Sequence, residues 1–381
     1  MKFQSGPIVL FGSGETSASG RKIFEQVFRR LPHSPRVALL ETPAGFELNS
    51  ERVIGRVGDF LSHRLQNYEP QVAIVPARRR GTSYSPDNAD ILEPLLTADL
   101  IFMGPGSPTY AVRQLRDSLA WDLIVARHRL GAALVMASAA TVAMSAYALP
   151  VYEIYKVGED LHWKQGLDFF GAFGMPLIFI PHWNNNDGGE ELDTSRCFMG
   201  QARFSELMRL LPPDLTVLGI DEKTALFLDI VNGSGRVIGQ GGVTLIHTGH
   251  RHQDGSPVDL QGTGLDEVAR FRNSHVHQYQ NGEAFPLSEC CPFELPDPQA
   301  GVSGEVWQKV LAAQQSQAQS AAPPPQVPVP AQIQALVQAR QEARLHKDWA
   351  GADALRQRIS KLGWQVVDTP DGPQLEPGDK P

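Results

Sequence analysis

Short apolar runs separated by amphipathic stretches recur along the first 230 or so residues of the chain. "PIVLFG" reads as a strand and leads through a glycine-rich turn into a helical pattern from Arg21 to Leu31. "RVALLETPA" is a second strand, followed by a helical pattern from about Ser50 to Asn67. "QVAIVPA" precedes the helix "DNADILEPLLTA", "LIFMGPGSP" runs into the helix "TYAVRQLRDS", and "GAALVMAS" is a fifth strand. Strands that are apolar throughout, rather than alternating, are covered on both faces, as parallel strands between layers of helices are. The pattern therefore predicts an α/β fold with a doubly wound, mostly parallel sheet flanked by helices. Ligands are expected beyond the carboxyl ends of its strands. "PLIFIPH" and "LTVLGIDE" read as further strands extending the sheet, and Thr194 to Leu211 as a helix. "RVIGQGGVTLIHTG" predicts antiparallel β at the sheet margin, and the pattern from Gly255 to Pro298 is weak.

One run, "LGAALVMASAATVAMSAYALP" from Leu130 to Pro150, carries no charge at all. It is long enough to span a bilayer, for which about 20 apolar residues suffice. Its alanines and serines contribute little to insertion, however, and it lacks aromatic belts and a basic flank. It is expected to be a buried strand, a tight turn and a packed helix in succession.

Composition sharpens this. With 381 residues, 42% of them hydrophobic, the chain can bury one sizeable domain and something smaller. Residues 1–300 are expected to form the main domain and 301–332 a linker rich in Pro, Gln and Ala. "AAQQSQAQSAAPPPQVPVPAQ", Ala312 to Gln332, should be disordered or extended. Residues 333–374 predict a two-helix hairpin stopped by Gly363, with a strand-like "WQVVDT" after it. The net charge of −8 argues against nucleic acid and anionic membranes as partners. The three cysteines, Cys290 and Cys291 adjacent, form no disulfide framework. The opening "MKFQSGPIVLFGSGE" turns polar too early for a leader, so a cytoplasmic protein is expected.

Candidate chemistry gathers at strand ends. Ser138 lies at the junction between "GAALVM" and "ATVAMSAYAL", where a strained turn can lift a nucleophile and aim backbone N–H groups at an oxyanion. Taken alone, Ser138 reads sooner as a buried serine in a small-residue core than as a nucleophile. A serine nucleophile needs a base, and the base a carboxylate to orient it. His182 in "FIPHWNNN" and Glu222 in "GIDEKTA" each directly follow a strand, at the same end of the fold. "MGPGSPTY" supplies glycines ahead of a helix, so the amides of Gly106, Ser107 and Ala139 are expected to form the oxyanion hole. "FGSGETS" lacks the spacing of a dinucleotide fingerprint and reads as a turn lining the same edge.

These pieces, in this order, resemble the peptidase S51 family, which includes cyanophycinase and aspartyl dipeptidase E. The resemblance covers about residues 6 to 248. It rests on "FGSGE", "MGPGSP", "SAATVAMS" from Ser138 to Ser145, "IPHW" around His182 and "GIDEKTA" around Glu222. It implies a class I glutamine-amidotransferase-like fold and a serine peptidase with the triad Ser138, His182 and Glu222. The chain departs from the family at Ala140, where a glycine is usual, at Ile180 and Pro181, and in the insertion "NNNDGGEELDTSRCF". Asp187, Glu190, Glu191 and Asp193 in that insertion read as a solvated loop or as ligands for a cationic substrate group. Asn184, Arg196 and Arg203 are expected at the substrate, the arginines as carboxylate ligands or else as surface ion-pair partners.

The tail "IQALVQARQEARLHKDWAGADALRQRISKLGWQVVDTPDGPQ" resembles the C-terminal segment of cysteinyl-tRNA synthetase, while the catalytic motifs of a synthetase are absent from the sequence. From Ala331 onward it has seven Lys/Arg and seven Asp/Glu, so packing or protein contact is expected of it rather than tRNA binding. His247, His250, His252, His275 and His277 invite a metal, but lack matched Cys or carboxylate ligands. The expectation is a hydrolase of small peptides or isopeptides that needs no metal or organic cofactor, with a homodimer left open. The alternatives are a catalytically inactive binding protein on the same fold, and an RNA- or protein-contact role through the hairpin.

Overall fold

A computed structural model describes residues 4–248, 276–321, 330–369 and 372–377. Five strands form the heart of the first unit: β1 (Ile8–Phe11), β2 (Arg36–Leu40), β3 (Gln71–Val75), β4 (Leu100–Met103) and β5 (Ala133–Ala137). They pair in parallel in the order β1-β5-β4-β2-β3. The helices between them are α1 (Ala18–Phe28), α2 (Ser50–Arg64), α3 (Glu93–Thr97), α4 (Pro108–Leu115) and α5 (Leu119–Arg129). The strands are apolar throughout because both faces are covered. Ile8 and Leu10 of β1 join one buried cluster, and Val9 and Phe11 join another. The central sheet is thus α/β and mostly parallel, flanked by helices.

The uncharged run breaks as its composition suggests, into β5, α6 (Ala139–Ala143) and β6 (Tyr147–Ala148). No described helix is long and apolar enough to cross a membrane. α6 is shorter than expected because its far end is drawn into other pairings. The amide of Phe179 donates to Ser145 Oγ, and that of Ala146 to the Leu177 carbonyl. β6 pairs with β7 (Lys164–Gln165).

The later strands correct the expectation of one extended sheet. β8 (Leu177–Ile180) and β9 (Leu215–Ile220) pair in parallel in a second, four-stranded sheet, at whose edge β8 lies. The open edge of β1 is taken instead by β10 (Thr224–Asp229), which turns back immediately after β9 and runs antiparallel. β11 (Ser234–Gly239) adds to β10, while β12 (Gly242–Thr248) crosses to the second sheet. β13 (Val276–Gln280) and β14 (Ala284–Pro286) complete the two margins. The helix expected from Thr194 begins only at α7 (Gly200–Arg209), because Arg196, Cys197 and Phe198 hold φ of 57°, 59° and 69°.

The extended linker is also corrected at its start. α8 (Gly304–Ala321) occupies residues expected to be irregular. Alanine and glutamine are good helix formers, and Val306, Trp307 and Val310 bury one side of the first turns. The chain divides into two compact units, Met1–Gln315 and Ser316–Pro381, so the division falls within this helix. In the second unit α9 (Ala331–Leu345) and α10 (Trp349–Lys361) form the hairpin, with Ile333, Val337, Ile359, Trp364 and Val366 as its core. Asp348 caps α10 through the Gly351 amide, and Gly363 ends it at φ 79°. β15 (Trp364–Thr369) and β16 (Gly372–Pro377) close the unit.

Candidate active site

Ser138 sits between the last residue of β5 and the first of α6, at φ 52° and ψ −111°. No cap hydrogen bond uses its side chain. A non-glycine residue in this region costs about 1–3 kcal/mol and persists only where its surroundings hold it. Here they do: Thr141 Oγ1 donates to the carbonyls of Phe11 and Met136, pinning the first turn of α6 under β1 and β5. Ala140 is wholly buried and its amide donates to the Gly104 carbonyl at 3.3 Å, so the extra methyl relative to glycine is accommodated.

The hydroxyl of Ser138 lies 2.9 Å from His182 Nε2. His182 follows β8, also at φ 52°, and its amide donates to the Gly12 carbonyl at 3.2 Å. That contact ties the second sheet to the first. Gly12 is needed there, because a Cβ would stand 2.1 Å from the Asp221 carbonyl oxygen. His182 Nδ1 is 2.9 Å from Glu222 Oε1, just past β9. The same oxygen accepts from Asn185 Nδ2 at 3.0 Å, and Asn184 Oδ1 accepts the Glu222 amide at 2.8 Å. The hydrogen bond from His182, then that from Asn185, hold the Glu222 carboxyl below its ordinary value against the opposing effect of burial. An ionised carboxylate is only an acceptor, so it fixes the proton on Nδ1 and leaves Nε2 to accept from Ser138.

The cavity at this serine is about 360 Å³, lined by Gly106, Ala139, Tyr152, Asp187, Cys197 and Phe198 among others. Gly106 holds φ 144°, and a Cβ would stand 2.0 Å from the Pro43 carbonyl oxygen. Among the described residues no acceptor pairs with the Gly106 or Ala139 amide. Ser107 differs from expectation: its amide donates to the Pro43 carbonyl at 2.9 Å, and its hydroxyl caps α4. It has no amide to offer an oxyanion.

The expected substrate ligands are also placed otherwise. Arg196 lies over Trp183, with its guanidinium carbon 3.9 Å from the ring centre, and donates to the Trp183 carbonyl. Arg203 donates to the carbonyls of Met199 and Phe198. Neither lines the cavity, and Asn184 supports the Glu222 backbone. Of the acidic insertion only Asp187 lines the cavity; Asp193 instead accepts from the Ser195 and Gln201 amides ahead of α7. Cys197 is buried at the edge of the same cavity. Burial first, then the charge of Glu222, push its thiol up to about 12.

One contributor, Asn185, gave no sequence signal of a role. It is buried and shares the Glu222 oxygen with His182. Glu15, in the loop after β1, has its carboxyl pushed up by burial, opposed by a hydrogen bond to its own backbone. Of the histidines that invited a metal, His250, His252 and His275 lie outside the described residues. His247 Nδ1 lies 3.1 Å from Thr216 Oγ1, and His277 stacks on Tyr279.

Residues 327–374 match the family model of the cysteinyl-tRNA ligase anticodon binding domain. Cysteine–tRNA ligase 1 of Burkholderia lata is 48% identical over 52 residues, 14% of this chain. The cysteine–tRNA ligase of Opitutus terrae is 46% identical over 56 residues, 15% of the chain. The chain spans only 11% and 12% of the length of these two ligases. The overall fold is similar to that of a peptidase from an acI-B1 Actinobacterium, with a TM-score of 0.54 and 20% identity. That alignment covers 74% of this chain and 98% of the other.

Proposed function

We propose that the first unit is a serine-type hydrolase acting on the amide bonds of small peptides or isopeptides. The observation that carries this reading is the unbroken hydrogen-bonded chain from Ser138 Oγ through His182 to Glu222, raised on a backbone held at positive φ. The shared fold of a protein described as a peptidase supports the reaction class.

In this mechanism Ser138 Oγ attacks the amide carbon while His182 Nε2 takes its proton. Glu222 remains ionised and stabilises the imidazolium through Nδ1. The carbonyl oxygen becomes an oxyanion and is met by the amides of Gly106 and Ala139, both of which line the cavity. Collapse breaks the C–N bond, and the proton on Nε2 leaves with the amine. Water, deprotonated by the same imidazole, then hydrolyses the acyl-serine. All three cysteines are free, which supports a reducing compartment such as the cytoplasm.

The test is a dipeptide and isopeptide library screened with the full chain and with Ser138→Ala. Hydrolysis by the former and none by the latter is expected. Equal rates, or no hydrolysis by either, would remove the reading.

The match of residues 327–374 to an anticodon binding domain favours a second role, RNA contact, for the second unit. Its equal numbers of cationic and acidic residues make that contact weak. Fluorescence anisotropy with bulk tRNA measures it: deleting residues 331–381 should remove the affinity, and an affinity that survives the deletion contradicts the role.

A further inference from the structure

The loop that carries Gly106 has two faces. Gly106 and Pro108 line the Ser138 cavity, whereas Ser107 and Thr109 line a second cavity of about 650 Å³. Tyr152 lines both, so the two spaces share a wall.

One side of the second cavity is aromatic. The Phe46 ring stands 5.2 Å from Tyr110 and 6.5 Å from Tyr152, yet 47% of Phe46 is exposed. Solvent-facing rings in a concavity are a feature of binding sites. The other side is cationic, with Arg80, Arg113, Arg116 and Lys164 against Asp117 and Glu153. Lys164 pairs with Glu153 at 3.4 Å, and Arg80 reaches Asp87 at 3.7 Å. Arg116 donates to the Gln165 side chain and to the carbonyls of Gln165 and Gly166, groups that bring no negative charge. Arg113 lies 5.1 Å from the centre of the Tyr110 ring and makes no hydrogen bond or ion pair among the described residues.

We propose that this second cavity binds a carboxylate-bearing arm of the peptide substrate, with Arg113 as the carboxylate ligand and Phe46 and Tyr152 packing against the same arm. The proposal rests on the peptide-hydrolase reading above. Positive charge without a carboxylate partner selects an anion, and a guanidinium offers a carboxylate two parallel donors. The aromatic wall and the shared boundary with the Ser138 cavity select an organic chain over a free inorganic ion. A peptide held at Ser138 has its continuing residues within reach of Tyr152.

The test is calorimetric binding to the full chain carrying Ser138→Ala, with an acetylated tetrapeptide ending in aspartic acid. The comparison is the same peptide ending in asparagine amide. The acidic form is expected to bind about tenfold tighter, the scale of one charge-assisted hydrogen bond. Adding Arg113→Gln should bring the two forms within about twofold of each other, and adding Arg113→Lys should keep part of the preference. Equal binding of both forms, a preference that survives Arg113→Gln, or no binding at all overturns the proposal. The hydrolase reading is judged separately, by library hydrolysis with the native chain. Hydrolysis without acidic preference defeats this site alone, and acidic preference without hydrolysis defeats the reaction.

Discussion

Ser138 and His182 meet across 2.9 Å although they follow strands of different sheets and each holds φ at 52°. Neither conformation is favourable for a residue with a Cβ, so the surrounding packing must hold both. That places backbone strain at the two residues whose side chains are in hydrogen-bond contact.

Replacing Ser138 by glycine should separate strain from chemistry. Glycine adopts positive φ freely, so Ser138→Gly is expected to raise stability by about 1 kcal/mol while hydrolysis disappears. Denaturant melts alongside rate measurements check this. A loss of stability would mean that the serine side chain supports the fold in some other way.

Glu222 should affect rate and acid stability together. Glu222→Gln presents a neutral amide to Nδ1, leaves the imidazole tautomer unfixed, and is expected to lower kcat by roughly 10²–10⁴-fold. Because the folded carboxyl lies below its unfolded value, its stabilising contribution is present above the unfolded value near 4.3. It is lost as pH falls through the lower, folded value. The stability gap between native chain and variant should therefore be full at pH 7 and close in acid. A gap that widens in acid has the wrong sign.

Gly106→Ala should damage the oxyanion site without touching the triad. The new methyl meets the backbone carbonyl of Pro43 rather than a flexible side chain, so the loop must move. Loss of one aligned amide is expected to lower kcat by about 10²–10³-fold with KM changed far less. A native kcat would show that the Gly106 amide does not stabilise the transition state.

His128, remote from the triad, sets a different pH response. It is wholly buried against Phe169 and Phe173, and its Nε2 donates to the Gly6 carbonyl at 2.9 Å. Burial first, then the charge of Arg129, lowers its pKa to about 3. Between about 6.5 and 3 the unfolded chain binds a proton that the folded chain does not, so stability falls as pH falls through that window. The slope from this one group is at most about 1.4 kcal/mol per pH unit. Chemical melts of the native chain and His128→Gln should show a shallower acid dependence in the variant. Identical slopes would contradict a buried neutral imidazole.

The meeting of Ser138, His182 and Glu222 was legible because each lies just past an apolar strand, and strand ends are where such folds collect polar groups. The second sheet was not legible. Apolar runs show that β8 and β9 are covered on both faces, but not which strand holds the edge of β1. That depends on the tight return into β10 after Glu222. Ser107 misled for a related reason, since its amide is consumed by the Pro43 carbonyl, 64 residues earlier in sequence. The arginines misled because charge type does not reveal that Arg196 lies over Trp183 or that the carbonyls of Met199 and Phe198 occupy Arg203. α8 was obscured by composition: its glutamines and alanines resemble a linker until Val306, Trp307 and Val310 are seen to be buried.

The most direct measurement is fluorophosphonate labelling of the full chain, with the modified residue located by peptide mass spectrometry. A phosphonyl adduct on Ser138, lost in His182→Ala, is the expected result. An unmodified Ser138, or labelling that is indifferent to His182, would contradict a serine nucleophile activated by this histidine.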